Sequence, residues 1–459
     1  MAKPVVQPYD RHDLVSRVLQ LLAGLWKHTD LLVILLIALF LRLAFFQQGL
    51  NDVGLEQMAL ASPDAVLYLD TARSLVDNIP IVEKGLFTFG PGYPVFLAIG
   101  LLFGCGILGL VIVNILVSAL TSLMIYRLAR LLIDSYPIAI VAALLSATSY
   151  TSISLSPVLL SDTFFLFLLT AGLVLYYKAL TDSHWVWFIV AGLIFGFAAL
   201  CRAVGQFWPV IMILLALVVS RSTRSRLPHV PANTLRRRRY RVAVAVAIPV
   251  LMITAWTIRN YSRHDAFTLT LSGTAGLGKL AAITIGDIED QPYRSVLKRW
   301  GQAYLDSTGQ ETFTLGQEHD FIRDRAKQTL SDHPEEVLST YVDLLWQNIN
   351  EISYLHRLVI PELNATTIPI EYWYKDRWLN YLSFTLTMIG LVILICTARY
   401  RPAIILGLVY VYFIPLSGFA AHQGSRIFLP AQTASAILIA VVLVTPIKGI
   451  TRLMKSIRD

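Results

Sequence analysis

Apolar runs as long as a membrane crossing recur along the chain, and they sort into ten candidate helical spans. These lie near residues 30–47, 106–127, 137–156, 160–179, 185–201, 205–221, 242–259, 379–397, 402–419 and 427–446. About twenty apolar residues in helical form cover the roughly 30 Å of a bilayer's hydrocarbon core. The apolar stretch from Tyr93 to Phe103 is too short to cross and reads as a re-entrant or interfacial helix. Leu14 to Trp26 reads as an amphipathic interfacial helix, with Val18, Leu21, Leu22 and Leu25 on one face. The mixed first thirty residues lack the pattern of a cleavable signal peptide, so the first span is expected to stay as an anchor.

Between the spans, Lys and Arg alternate in density. One set of segments holds Lys3, Arg11, Arg17 and Lys27, then Arg127 and Arg130, Lys178, the 221–241 loop, Arg399 and Arg401, and the tail with Lys448, Arg452, Lys455 and Arg458. The opposite short loops carry few: Arg73, Lys84, Arg202 and Arg426. The positive-inside rule therefore puts both termini in the cytoplasm of a multi-pass plasma or inner membrane protein. Two longer segments then face outward: a first outer loop, 47–104, and a polar stretch, 260–378. The latter has helical periodicity through Phe321, Ala326 and Leu330, and through Val337, Tyr341, Leu344 and Leu345 after a break at Pro334. The expected architecture is an all-α polytopic membrane protein in three parts. Residues 1–259 form a transmembrane module that includes the outer loop, 260–378 a small, mainly helical extracytoplasmic domain, and 379–459 the last spans and tail.

Composition agrees: 56% of residues are apolar, 15% are charged, and mean hydropathy is +0.61. The net charge of +8 could suggest nucleic acid, but the densest run, Arg236 to Arg239 with Arg241, immediately precedes an apolar segment, where it reads as a topology anchor. Nothing resembles a nucleotide phosphate loop, and Cys105, Cys201 and Cys396 lie far apart without metal-ligand spacing.

Unusual polar residues gather on the outward side. Ser62-Pro63-Asp64 reads as a helix start, with Asp64 and Tyr68 on one face. Asp64 fits a general base at the water boundary, and equally a solvated capping acid. Arg202, Arg259 and Arg426 each sit at the outer end of a span, against the positive-inside bias. Arginine at that depth is costly unless it is paired, faces a cavity or reaches the headgroups. A guanidinium fork suits a phosphate emerging from the bilayer, and Lys84 could add a point charge. His422, four residues before Arg426, could orient a phosphate or an acceptor, or be an ordinary loop histidine. Asp52 and Glu56 are further acids in the same loop and could share a cation, but no HxxH or carboxylate cluster demands a metal.

With these residues on one aqueous face, the chain resembles the GT-C superfamily of polyprenyl-phosphate-dependent glycosyltransferases, in the branch of the protein O-mannosyltransferases and the lipid A aminoarabinose transferase. The motifs that carry the likeness are Asp64 to Tyr68, then Gly90-Pro91-Gly92-Tyr93-Pro94. They continue with Leu160-Ser161-Asp162-Thr163, Leu200-Cys201-Arg202, Trp256 to Tyr261, and Ser425 to Pro430. The resemblance implies sugar transfer with inversion from undecaprenyl or dolichyl phosphate to a cell-envelope acceptor, without metal or other cofactor. Asp64 would be the catalytic base, and Lys84, Arg202, Arg259 and Arg426 would meet the donor phosphate. Asp52, Glu56, Tyr68, Tyr93 and His422 would support the site or the acceptor. Ala65 stands where many relatives carry a second acid, which keeps Asp52 and Glu56 as alternative bases. A flippase or transporter of lipid-linked sugars is the competing expectation; it would prefer charge at mid-membrane and symmetric broken helices.

Overall fold

A computed structural model describes residues 29–77, 82–182, 184–226, 232–350, 377–420 and 423–458. The expected interfacial helix at 14–26 and His422 lie outside these residues.

The described chain is helical throughout. The first span, α1 (Thr29–Asp52), leads into a loop of short helices: α2 (Leu55–Ala59), α3 (Pro63–Val76), α4 (Glu83–Phe89) and α5 (Gly92–Leu102). The next helices are α6 (Ile107–Ile133), α7 (Tyr136–Ala147), α8 (Tyr150–Leu155), α9 (Ser161–Asp182), α10 (Trp185–Cys201), α11 (Trp208–Arg226) and α12 (Ala232–His264). Four helices then follow outside the spans: α13 (Leu271–Glu289), α14 (Tyr293–Thr308), α15 (Leu315–Asp332) and α16 (Pro334–Asn350). The chain closes with α17 (Arg377–Cys396), α18 (Tyr400–Ser417), the short α19 (Ser425–Phe428) and α20 (Gln432–Arg458).

Among the described residues, eight helical segments are long and apolar enough to cross a membrane. The two other expected spans differ. That at 185–201 is a helix of 17 residues, just under that length. The one at 137–156 is interrupted: α7 stops at Ala147, and α8 starts after Ser149, whose hydroxyl accepts from the Ser152 N–H at 3.5 Å. Ser and Thr cost little on a hydropathy profile, yet their side chains compete for backbone hydrogen bonds, so a break there does not interrupt the apolar signal.

α9 sits at the centre, packed against α6 and α10, and 78% of its most apolar stretch is buried within the protein. The outer faces of the peripheral spans stay apolar and exposed, as at Phe40 and Leu251, which is how a surface facing lipid tails reads. α12 runs past its expected end at residue 259 to His264. The helices α13 to α16 are tied to the membrane module by two small apolar clusters. Phe87 of α4 packs with Ala266 and Leu271, and Leu280, Val337 and Leu344 pack near Phe419.

Candidate active site

Four charged side chains from distant parts of the sequence meet at one end of the bundle. Asp162 stands in the first turn of α9, only 2% exposed. Its carboxylate pairs with Arg202 at the end of α10, and with Arg426 of α19 through both Nε and Nη2 at 3.0 Å. The same Arg426 Nη2 lies 3.7 Å from the Asp64 carboxylate. Arg426 is itself buried, and its Nη1 donates to the Gln423 side chain at 3.1 Å. Two carboxylates and two guanidiniums therefore balance. Taking charges out of water is tolerable here because each has an opposite partner at contact distance.

Environment separates the two acids. Asp162 is enclosed and engaged by two guanidiniums, so it has no free face to offer a substrate. Asp64 keeps 40% of its side chain exposed and sits in the first turn of α3, where Ser62 caps the helix by accepting the Asp64 N–H at 3.3 Å. An open groove of about 510 Å³ on the neighbouring face of α3 is lined by Leu60, Ala61, Ser62, Pro63, Val66, Leu67 and Asp70, without Asp64 itself. Within the cluster, Asp64 is thus the carboxylate that can touch a substrate and exchange a proton.

Local chemistry fixes the approach of these elements. Tyr68, one turn after Asp64, is buried and hydrogen-bonds the Ser161 hydroxyl at 3.0 Å, joining α3 to the residue before Asp162. Its ring lies edge-on to Tyr93 at 4.9 Å. Burial pushes both phenol groups well above their ordinary range, so they stay protonated. The turn Gly90-Pro91-Gly92 packs against the end of α10. A Cβ on Gly92 would fall 2.6 Å from the Cys201 nitrogen, and one on Gly90, which also has φ +87°, 2.5 Å from the Leu200 carbonyl oxygen. Only glycine permits this approach, and the next residue along α10 is Arg202.

The other expected residues are placed differently. Arg259 is not in this cluster: it pairs with Glu83 at the start of α4 and lies over the Trp256 ring at 4.7 Å. Arg263 and His264 approach the same Glu83 at 3.3 and 3.5 Å. Lys84 is exposed on α4, next to Glu83, while Asp52 and Glu56 are exposed on α1 and α2. Asp162 was not among the expected site residues. Its signal was available: two arginines at the ends of apolar spans call for a buried acid, and Asp162 opens the span that the packing makes central.

Residues 90–253 match the family model of the dolichyl-phosphate-mannose-protein mannosyltransferases. No curated protein matches the chain by sequence. Among solved structures, the chain is similar to the apo oligosaccharyltransferase of Archaeoglobus fulgidus, with TM-score 0.54 and 14% identity over 95% of this chain and 52% of that one. It is also similar to the A. fulgidus oligosaccharyltransferase AglB in complex with an inhibitory peptide and a dolichol-phosphate, with TM-score 0.50 and 14% identity over 94% and 52%. ArnT from Cupriavidus metallidurans bound to undecaprenyl phosphate matches at TM-score 0.38 and 14% identity, over 92% and 79%. The chain spans about half the length of the oligosaccharyltransferases whose fold it shares.

Proposed function

We propose that this chain is a glycosyltransferase of the GT-C kind, which moves a sugar from a polyprenyl-phosphate donor to a cell-envelope acceptor on the extracytoplasmic face of the membrane. The observation that carries the reading is the pair of unlike acids: an accessible Asp64 beside a buried Asp162 that holds Arg202 and Arg426 in place. In the proposed reaction an acceptor hydroxyl attacks the anomeric carbon while Asp64 takes its proton. The bond from that carbon to the lipid phosphate oxygen breaks on the opposite side, so the configuration inverts and polyprenyl phosphate leaves.

Negative charge grows on the departing phosphate, and cations near it lower the barrier. Lys84, Arg202, Arg259 and Arg426 are the proposed phosphate ligands. Arg202 and Arg426 already share Asp162, so Lys84, which is exposed, and Arg259, whose group of cations outnumbers Glu83, are assigned the larger part. The order of outer loops, with both termini cytoplasmic, is part of the same proposal, as is the division into 1–259, 260–378 and 379–459. The A. fulgidus oligosaccharyltransferase is solved in complex with a dolichol-phosphate, which supports a lipid-phosphate site for this reading.

The test is Asp64→Asn in purified protein, assayed beside the wild type against a panel of polyprenyl-phosphate sugars with envelope acceptors. Asparagine keeps the shape and cannot take the proton. A folded variant slowed by about a hundredfold or more supports Asp64 as the base. Equal turnover moves the base to Asp52 or Glu56. If wild-type protein consumes no donor yet carries labelled lipid-linked sugar across liposomes, the enzyme reading fails and the transporter replaces it.

A further inference from the structure

The interrupted backbone between α7 and α9 is the segment that delivers Asp162, and its polar groups have named partners. In a bilayer, non-helical backbone survives only where protein satisfies its hydrogen bonds. Arg42, in the middle of the first span and fully buried, donates from Nη1 to the Ala147 carbonyl at 2.9 Å, the last carbonyl of α7. Its Nη1 also reaches Ala38 O at 3.0 Å, and its Nε donates to the Ser118 hydroxyl at 2.7 Å. Ser118 in turn donates to Ser152 O at 3.2 Å. One turn back on α6, the buried Asn114 amide donates to Ser156 O at 2.9 Å and Val158 O at 3.0 Å. One turn forward, Ser122 bonds the Ser146 hydroxyl at 3.2 Å. From the other side, Leu159 N–H donates to Ala59 O at 2.9 Å.

Asn114, Ser118 and Ser122 are spaced by four residues, so α6 presents one polar seam along a mainly apolar stretch. The Arg42 guanidinium lies against the carboxyl end of α7, where the helix dipole is negative, and its partners are a hydroxyl and two carbonyls rather than an acid. The cradled segment also reaches the second arginine of the site. Thr151 bonds Ser425 at 3.1 Å and Ser152 bonds Gln432 at 2.7 Å, on either side of Arg426.

We propose that Arg42 and the seam Asn114–Ser118–Ser122 form a cradle that holds residues 147–160 and so sets Asp162 against Arg202 and Arg426. Arg42 and Asn114 are positioning residues, remote from the reacting atoms. Their effect on turnover rests on the proposed transferase reading, whereas their effect on the segment does not.

The experiment measures both in Arg42→Gln, Arg42→Lys and Asn114→Leu, purified in the detergent used for the wild type. Hydrogen–deuterium exchange is followed on peptides covering 147–160 and on α10 and α18 as internal references. Expected is a rise of about tenfold or more in exchange within 147–160 for Arg42→Gln and Asn114→Leu, with the references unchanged. Arg42→Lys, which keeps the charge and three donors, restores much of the protection. Where donor turnover is measurable, kcat falls in the same order across the three variants, more than the fraction of folded protein does. Unchanged exchange in 147–160, or a rise shared equally with α10 and α18, overturns the cradle. Absence of any turnover in the wild type strikes only the transferase reading, because the exchange pattern still decides this one.

Discussion

Asp64 and Asp162 flank a single guanidinium, with carboxylate oxygens 3.7 and 3.0 Å from Arg426 Nη2, and their surroundings divide their work. Asp162 is the counter-ion that makes the buried Arg426 and the partly buried Arg202 tolerable, so its loss is expected to act on stability as well as activity. Breaking a buried pair by removing one partner costs about 3–5 kcal/mol, and here two guanidiniums lose their acid. Asp162→Asn is therefore expected to unfold at clearly lower temperature in detergent, whereas Asp64→Asn, half-exposed, is expected to melt close to wild type while losing turnover. Melting curves of the two variants side by side check this contrast; equal shifts would contradict it. At this scale two residues that broke a rule were informative. Arg202 and Arg426 stood out by lying at the expected outer ends of spans, and they do converge, on Asp162. Asp162 itself broke no rule, since an acid in a first helical turn is ordinary, and its two partners lie 40 and 264 positions away.

At the scale of elements, eight of the ten expected spans were legible because apolar length is a strong signal, and of the short loop helices α3 was legible from its Ser62-Pro63 start and α5 from its short apolar run. The helix break at Thr148 and Ser149 was not, because its cause sits in other helices: Arg42 and the α6 seam supply the partners that make it affordable in lipid. The glycine turn was legible as a motif, though not its purpose, which is to let the chain lie on the backbone at the end of α10. Gly92→Ala places a methyl group 2.7 Å from the Leu200 carbonyl carbon, with backbone rather than a flexible side chain to displace. Overpacking of this kind costs about 1–3 kcal/mol. The expected outcome is a lower melting temperature together with reduced turnover, because the displaced backbone carries Arg202. Gly106→Ala, where an added Cβ meets nothing within 4 Å, is the control and is expected to behave as wild type in both assays.

For the molecule as a whole, the proposal depends on sidedness: Asp64 must face outward, and the arginines from 236 to 239 inward. Cysteine labelling separates the two faces. In a background with Cys105, Cys201 and Cys396 replaced by alanine, Val66→Cys, exposed on α3, is expected to react with a membrane-impermeant maleimide added to whole cells. Arg239→Cys, exposed near the start of α12, is expected to react only after the cells are opened. The reverse pattern would turn the active site to the cytoplasm and remove the extracytoplasmic part of the reading. From the sequence, this topology rests on the charge alternation alone. The likeness of fold, at 14% identity, rests instead on the packing of spans that composition alone cannot order.

The cluster's members also differ in when they are made. Asp162 and Arg202 emerge from the ribosome within 40 residues of one another, and Arg426 follows 224 residues after Arg202. The nascent protein can therefore carry the first two through insertion as a neutral one-to-one pair, needing no help from later sequence. Arg426 then arrives with the last span, when Asp64 and Asp162 are both waiting on the bundle, and its entry is matched by charge already in place. Assembly of the cluster in this sense waits for Arg426, and a chain halted before it would sit in the membrane as an inactive intermediate that carries the Asp64 charge without its guanidinium.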